Sequence, residues 1–222
     1  MLKHPLKLSN RLMAIAGFVE KGASLADIGT DHGYLPVYLA QNGLARGIIA
    51  SDISAGSLTS ARRCAAMHGV SGKITFIAAP GLSGVGETDA DTVVIAGLGG
   101  ETIAGILKAA PWTKHSGVRL ILQPQTKIDK LCSFLHENGY VITGAKLARD
   151  NGKFYVIIGT QGETAPLCSD PLFPAYMNDR IAKARRALDG MKKSSAPDVL
   201  GMTLKLEAHL KLMEEFENAN CE

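Results

Sequence analysis

The chain has 222 residues, 46% hydrophobic and 20% charged, a globular composition with enough apolar side chain for one α/β domain and a small second one. Its formal net charge of +3 is too mild to mark a nucleic-acid binder by composition. Cys64, Cys132, Cys168 and Cys221 are scattered, with no CxxC pair or Cys/His cluster, which argues against a disulfide framework and predicts no metal site.

The first residues, MLKHPLKLSNRL, lack the apolar core of a secretion signal, and no later run approaches a membrane span. The expectation is a cytoplasmic protein that has no membrane association and no obligate protein partner. Ser24–Ile28 (SLADI) predicts a buried strand, Tyr34–Asn42 a helix, Gly47–Asp52 a second strand and Ser54–His68 a helix. Lys73–Ala78 and Asp91–Ala96 predict strands three and four, with a helix over Glu101–Lys108. Val118–Gln123 predicts a fifth strand and Lys127–Asn138 its helix. Strands separated by single helices imply right-handed crossovers and a parallel sheet. Continuous rather than alternating apolar runs fit burial on both faces.

After Gly139 the rhythm changes. Tyr140–Leu147 and Phe154–Thr160 predict two strands joined through Arg149-Asp150-Asn151-Gly152-Lys153, whose Asn-Gly pair favours an antiparallel hairpin. A parallel sheet closed by such a hairpin is the seven-stranded, Rossmann-like arrangement of class I methyltransferases. A nicotinamide-binding domain more often continues with further strand-helix units. Gln161–Pro174 holds three prolines and predicts a linker. Ala175–Met191 and Val199–Asn218 predict helices broken at Ser194–Asp198. Ile181, Ala184, Leu188 and Met191, with Leu206, Leu210 and Met213, recur at spacings of three and four, the pattern of a coiled-coil-like antiparallel hairpin. The expected domains are residues 1–160 and 161–222.

The chemistry gathers at the ends of the predicted strands. Asp27-Ile28-Gly29-Thr30-Asp31-His32-Gly33 follows the first. Gly29 lets backbone approach a ligand, and the next helix offers free amides to an anion such as a carboxylate. Asp31 stands where a GxGxxG loop has its middle glycine; it would repel a pyrophosphate and suits a cation such as a sulfonium. Equally, the segment is a plain strand-to-helix turn with Asp31 as N-cap. Asp52, 25 residues beyond Asp27, either accepts from both hydroxyls of a ribose or caps the helix starting near Ser54. Ala96-Gly97-Leu98-Gly99-Gly100 follows the fourth strand at the expected switch point; it is either a close-approach surface or a flexible turn. Gln123-Pro124-Gln125 either bonds a base edge or satisfies local backbone.

The strings LSNRL (8–12), LADIGTDHGYLP (25–36), VIAGLGGETI (94–103), LILQPQ (120–125) and NGY (138–140) resemble the bacterial TrmK family over about residues 8–160. That family methylates N1 of adenine 22 in tRNA with S-adenosyl-L-methionine. The resemblance implies a cofactor-binding set of Arg11, Asp27, Gly29, Asp52, Ile53, Gly81 and Gly97. Asp27 and Gly29, together with Asp31, match the cofactor-loop motif, Asp52 the ribose position, and Arg11 the LSxRL segment. It also implies that the C-terminal helices and the N-terminal segment contact tRNA. Pro80 departs from the family, which usually carries an acidic residue or Asn there, near the adenine ring of the cofactor.

Adenine N1 has a free lone pair, so transfer to it needs positioning more than deprotonation. The product ring is cationic, and a carboxylate close by would stabilise it and could take the N6 proton. Asp31 is the catalytic candidate, with a purely cofactor-facing role as its alternative; His32 either assists or is structural. The base must be turned out of its pairing, and Arg180, Lys183, Arg185, Arg186, Lys192 and Lys193 supply positive charge against Asp179 and Asp189 that could track RNA phosphates. The second helix ends acidic, at Glu214, Glu215 and Glu217. Two other readings stay open: a methyltransferase acting on a small molecule or protein, and a non-catalytic RNA-binding protein with the same fold.

Overall fold

The structure, a computed structural model, describes residues 5–115, 117–160, 167–192 and 199–219. The chain divides into two compact units, Met1–Pro166 and Leu167–Glu222. Lys193, the Ser194–Asp198 break, Cys221 and the first six residues of the expected linker lie outside the described residues, as do the side chains of Glu215 and Glu217.

In the first unit the elements run α1 (Asn10–Ala16), β1 (Ala23–Ile28), α2 (Tyr34–Gln41), β2 (Ala45–Asp52), α3 (Ala55–His68), β3 (Thr75–Ala78), β4 (Thr92–Gly99), α4 (Gly100–Lys108), β5 (Arg119–Thr126), α5 (Ile128–Glu137), β6 (Ile142–Asp150) and β7 (Lys153–Thr160). They form one seven-stranded sheet of order β3-β2-β1-β4-β5-β7-β6. The first five strands are parallel, and β7 is antiparallel to both its neighbours. Leu25, Ala26, Val93, Val94, Leu120, Ile121 and Leu122 are buried along the central strands. That is why these strands read as unbroken apolar runs. The order reverses between β1 and β4, so a crevice opens at their carboxyl ends.

Three boundaries differ from expectation, each for a local reason. β4 continues through Gly97–Gly99 and β5 through Thr126, because the ladder goes on with shifted pairs Leu98↔Pro124 and Gly99↔Thr126. The glycine-rich stretch is therefore a bulged strand end, not a free turn. The hairpin loop shrinks to two residues. Asn151 and Gly152 both have positive φ (47° and 75°), the type I′ geometry that matches strand twist, and Asp150 pairs with Lys153. β7 rather than β6 enters the sheet beside β5; it is buried from Val156 to Thr160, whereas β6 keeps exposed positions at Ile142 and Lys146. α1 is an element the strand-helix rhythm did not foretell. Ser9 caps it, accepting from the Leu12 amide, and Ile15 and Ala16 join the core.

The second unit holds α6 (Phe173–Lys192) and α7 (Val199–Ala219). α6 begins inside the expected linker, and Pro174 sits in its first turn, where no amide donor is missed. Ile181, Leu188 and Leu210 are buried, with Ala184, Leu206 and Met213 packed on them. Arg185 pairs with Glu214 at 2.6 Å and Lys192 with Glu207 at 2.9 Å. Seven residues later on α6 meets seven residues earlier on α7, so the helices run antiparallel. Among the described residues no helix is long and apolar enough to cross a membrane.

Candidate active site

At the carboxyl ends of β1, β2 and β4 lies a cavity of about 660 Å³, within the range of small-molecule sites. Arg11, Asp27, Gly29, Asp31, Asp52, Ile53, Gly81 and Gly97 all line it, together with Pro80 and Gln125. Its apolar wall comes from Leu12, Leu35, Leu98 and Ile106. These carried no signal in the sequence, where they are indistinguishable from core positions.

The loop after β1 is wound by three left-handed residues in five: Gly29 (φ 74°), Asp31 (φ 52°) and Gly33 (φ 70°). The amides of Gly29 and Thr30 donate to the Ser51 carbonyl at 2.8 and 3.0 Å, which anchors the loop on β2. Asp31 pays a conformational cost that glycine would not. Its amide donates to Asp52 Oδ2 at 3.0 Å, and the Ser54 amide donates to Asp52 Oδ1 at 2.8 Å. Neither acid is a helix cap. Gly33 is the N-cap residue of α2, and Ser54 caps α3 by accepting from the Ser57 amide. Asp52 instead braces two loops with one bond per oxygen. An ionised carboxylate has about four acceptor positions, so each oxygen keeps one free for a hydroxyl of a ligand.

Asp27 is only 5% exposed. Its Oδ2 accepts from the Thr30 hydroxyl at 2.7 Å. Burial pushes its pKa up to about 6, the Thr30 hydroxyl draws it back, the Asp52 charge raises it and Arg11 lowers it. A carboxyl so poised gains from a cation brought beside it, which returns it to the charged form.

Arg11 reaches the cavity from α1, and its Nη1 donates to Gln123 Oε1 at 2.8 Å. Gln123 is fully buried, and its Nε2 donates to the Pro124 carbonyl at 2.9 Å. Both ends of the Gln123 amide are thus engaged within the protein, one on the adjacent backbone and one on Arg11, and Gln125 is the glutamine that lines the cavity. Gly97 has φ 82°, a left-handed conformation that selects glycine, while a Cβ there would meet the Arg11 guanidinium only at ordinary contact distance, 3.8 Å. On the far side Ile53, 77% exposed, stands with Ala79, Pro80, Gly81 and Ile106 as an apolar slot beside Asp52. Gly81 has φ 56°, and a Cβ there would press on Ile106 at 3.1 Å. Pro80 offers this slot no polar side chain.

An open sheet of this order, with an acid closing β2 and a glycine-wound loop after β1, defines a Rossmann-like methyltransferase. Residues 8–158 match the methyltransferase domain family. The chain belongs to that family and, within it, to the TrmK family. It is 37% identical over 153 residues to the tRNA (adenine(22)-N(1))-methyltransferase of Bacillus subtilis, covering 69% of this chain and 64% of that one. The matched region thus spans just under two thirds of that relative's length. Its fold superposes on TrmK of B. subtilis with TM-score 0.80 at 27% identity, over 95% of this chain and 98% of the other. Sp1610 of Streptococcus pneumoniae, solved in complex with S-adenosyl-L-methionine, gives TM-score 0.79 at 30% identity, over 94% and 99%.

Proposed function

We propose that this protein transfers a methyl group from S-adenosyl-L-methionine to N1 of adenine 22 in tRNA, in the cytoplasm; the B. subtilis relative is named for methylation of that same atom. The observation that carries the reading is the pairing of two carboxyls in one cavity. Asp52 has acceptor positions for a sugar diol, and Asp27 is a buried acid that favours a cationic partner.

The residues present fit the cofactor. Gly29 and Gly97 would admit its amino-acid tail close to the backbone, where Asp27 could hold the ammonium and Arg11 the carboxylate; Ile53 and Gly81 would line the adenine's place, and Asp52 would accept from the ribose. When bound, the cofactor supplies a methyl group already activated on a sulfonium, so the protein's part is alignment and charge. Asp31 lines the same cavity and is the group proposed to face the adenine of the RNA as N1 becomes cationic. With Gln123 holding the Arg11 side chain, one cation of the site is oriented before any ligand arrives.

Residues 1–160 serve as the cofactor domain, and 161–222 as the RNA-contacting part, aided by the N-terminal segment with Lys7. On α6, Arg180 and Arg186 are exposed, with no ion pair among the described residues. Lys183, Arg185 and Lys192 are held by Asp179, Glu214 and Glu207. Such exposed pairs contribute little to stability, so RNA phosphates can compete for the lysines and arginines at small cost.

The test is mass spectrometry of nucleosides from unmodified tRNA incubated with protein and cofactor. 1-Methyladenosine is expected, and it should vanish with a transcript carrying guanine at position 22. Methylation of a different base, or of small molecules in preference to tRNA, refutes the assignment. Replacing Arg180 and Arg186 together by Glu should weaken tRNA binding while leaving cofactor affinity unchanged.

A further inference from the structure

We infer that the stacked rings of His32 and Tyr34, on the rim of the cavity, form the platform on which the target adenine lies, with Tyr34 carrying most of the grip. This rests on the RNA-methylating function proposed above and assigns the residues that receive the base.

Both rings line the cavity. Their centroids are 5.5 Å apart, with planes inclined by 24°, an offset stack. Tyr34 opens α2, whose Leu35, Val37, Leu39 and Ala40 are buried, yet Tyr34 itself is 45% exposed. Its phenol makes no hydrogen bond among the described residues. A large aromatic ring left in water at a site mouth, doing nothing for the core, is available surface for a flat ligand. Purine bases stack on such rings whatever their sequence context.

The platform is also held still. Gly33, between the two aromatic residues, is left-handed, and a Cβ there would lie 2.8 Å from the Ala61 Cβ; the loop is therefore seated directly on α3. Two residues before Gly33, the Asp31 amide is tied to Asp52. The Asp31 carboxylate lies 3.8 Å from His32 Nε2. Acid, imidazole and phenol thus follow one another along the rim of the space that receives the methyl donor.

The chemistry gives the ring a second use. Attack by N1 forms the N–CH₃ bond as the S–CH₃ bond breaks, and positive charge moves from sulfur to the adenine ring. The face of a phenol ring is electron-rich and attracts a cation more than a neutral base. A stacked Tyr34 therefore holds the transition state better than the substrate, the condition for raising kcat.

The experiment compares wild type with Tyr34→Phe, Tyr34→Ala and His32→Ala, measuring tRNA methylation kinetics and, by calorimetry, cofactor affinity. Tyr34→Ala should lower kcat/KM for tRNA by roughly 10- to 100-fold and Tyr34→Phe by less than about 3-fold, with His32→Ala in between. Cofactor affinity should stay within about 2-fold throughout, which also certifies folding. A tRNA with 2-aminopurine at position 22 should have its fluorescence quenched by wild type and by Tyr34→Phe, and not by Tyr34→Ala. Three results overturn the inference alone: full activity in Tyr34→Ala, equal loss in the Phe and Ala variants, or parallel loss of cofactor binding and activity. A wild-type protein that makes no 1-methyladenosine overturns the proposed function and the platform with it.

Discussion

The same strands, β1, β2 and β4, are built differently at their two ends. At the amino ends one side chain ties all three. Asp91 accepts from the Ser24 amide (3.0 Å) and the Thr92 hydroxyl (2.9 Å) on Oδ1, and from Arg46 (2.9 Å) on Oδ2; Arg46 also donates to the Ser24 hydroxyl at 2.8 Å. At the carboxyl ends lie left-handed residues, a buried acid and, at Ser51, a fully buried hydroxyl with no hydrogen-bond partner among the described residues. The first end satisfies its polar groups and costs the fold little. The second leaves acceptors and space uncommitted, which lowers stability and makes binding possible.

The largest way to break this contrast is at Asp52. Asp52→Ala should weaken cofactor binding on the order of 100-fold, because it removes the diol acceptor and frees the Asp31 and Ser54 amides together. Calorimetry measures it, and an affinity within a few-fold of wild type would dissociate Asp52 from the sugar.

Asp27→Asn should move the two ends oppositely, stabilising the cofactor-free protein by about 2 kcal/mol at pH 7 and weakening the cofactor. Its folded pKa is raised from 3.8 to about 6. As pH rises through that window the unfolded carboxyl ionises first, so the burial penalty is absent below pH 4 and complete above pH 6. The gain in thermal midpoint on substitution should therefore grow between pH 4 and pH 7. For wild type, affinity for the cationic cofactor should rise with pH up to about 6 and then level off. A midpoint gain independent of pH would refute the role given to burial.

The smallest effect belongs to the tied end. Asp91→Ala should cost about 1–2 kcal/mol in chemical denaturation, from the lost bonds to the Ser24 amide and Arg46, and leave cofactor affinity within about 2-fold. A loss of affinity comparable with that of Asp52→Ala would show the two ends to be coupled.

Much of the fold was legible because its determinants are local. Apolar runs mark the buried strands, Asn151-Gly152 selects a type I′ turn, and Ile181, Leu188 and Leu210 keep the helical spacing of a hairpin. The candidate site was legible where a residue type is chemically telling, as with Asp27, Gly29 and Asp52. It was silent for Leu12, Leu35, Leu98 and Ile106, since an apolar side chain facing a ligand has the same pattern as one facing the core. The choice between ligand acceptor and N-cap for Asp31 and Asp52 also stayed open, because both options demand an acid beside a helix start.

Sequence alone determined the strand-helix rhythm, the turn chemistry and which acids and glycines stand at strand ends, since sterics and periodicity act over a few residues. Only the tertiary structure decided that β7 sits inside β6, that Arg11 is oriented by a glutamine 112 residues away, that Asp52 braces the Asp31 loop, and that burial raises the pKa of Asp27 to about 6. Those outcomes depend on pairing, exclusion of water and charge between segments far apart in the chain. Such energies exist only once the sheet has brought the segments together.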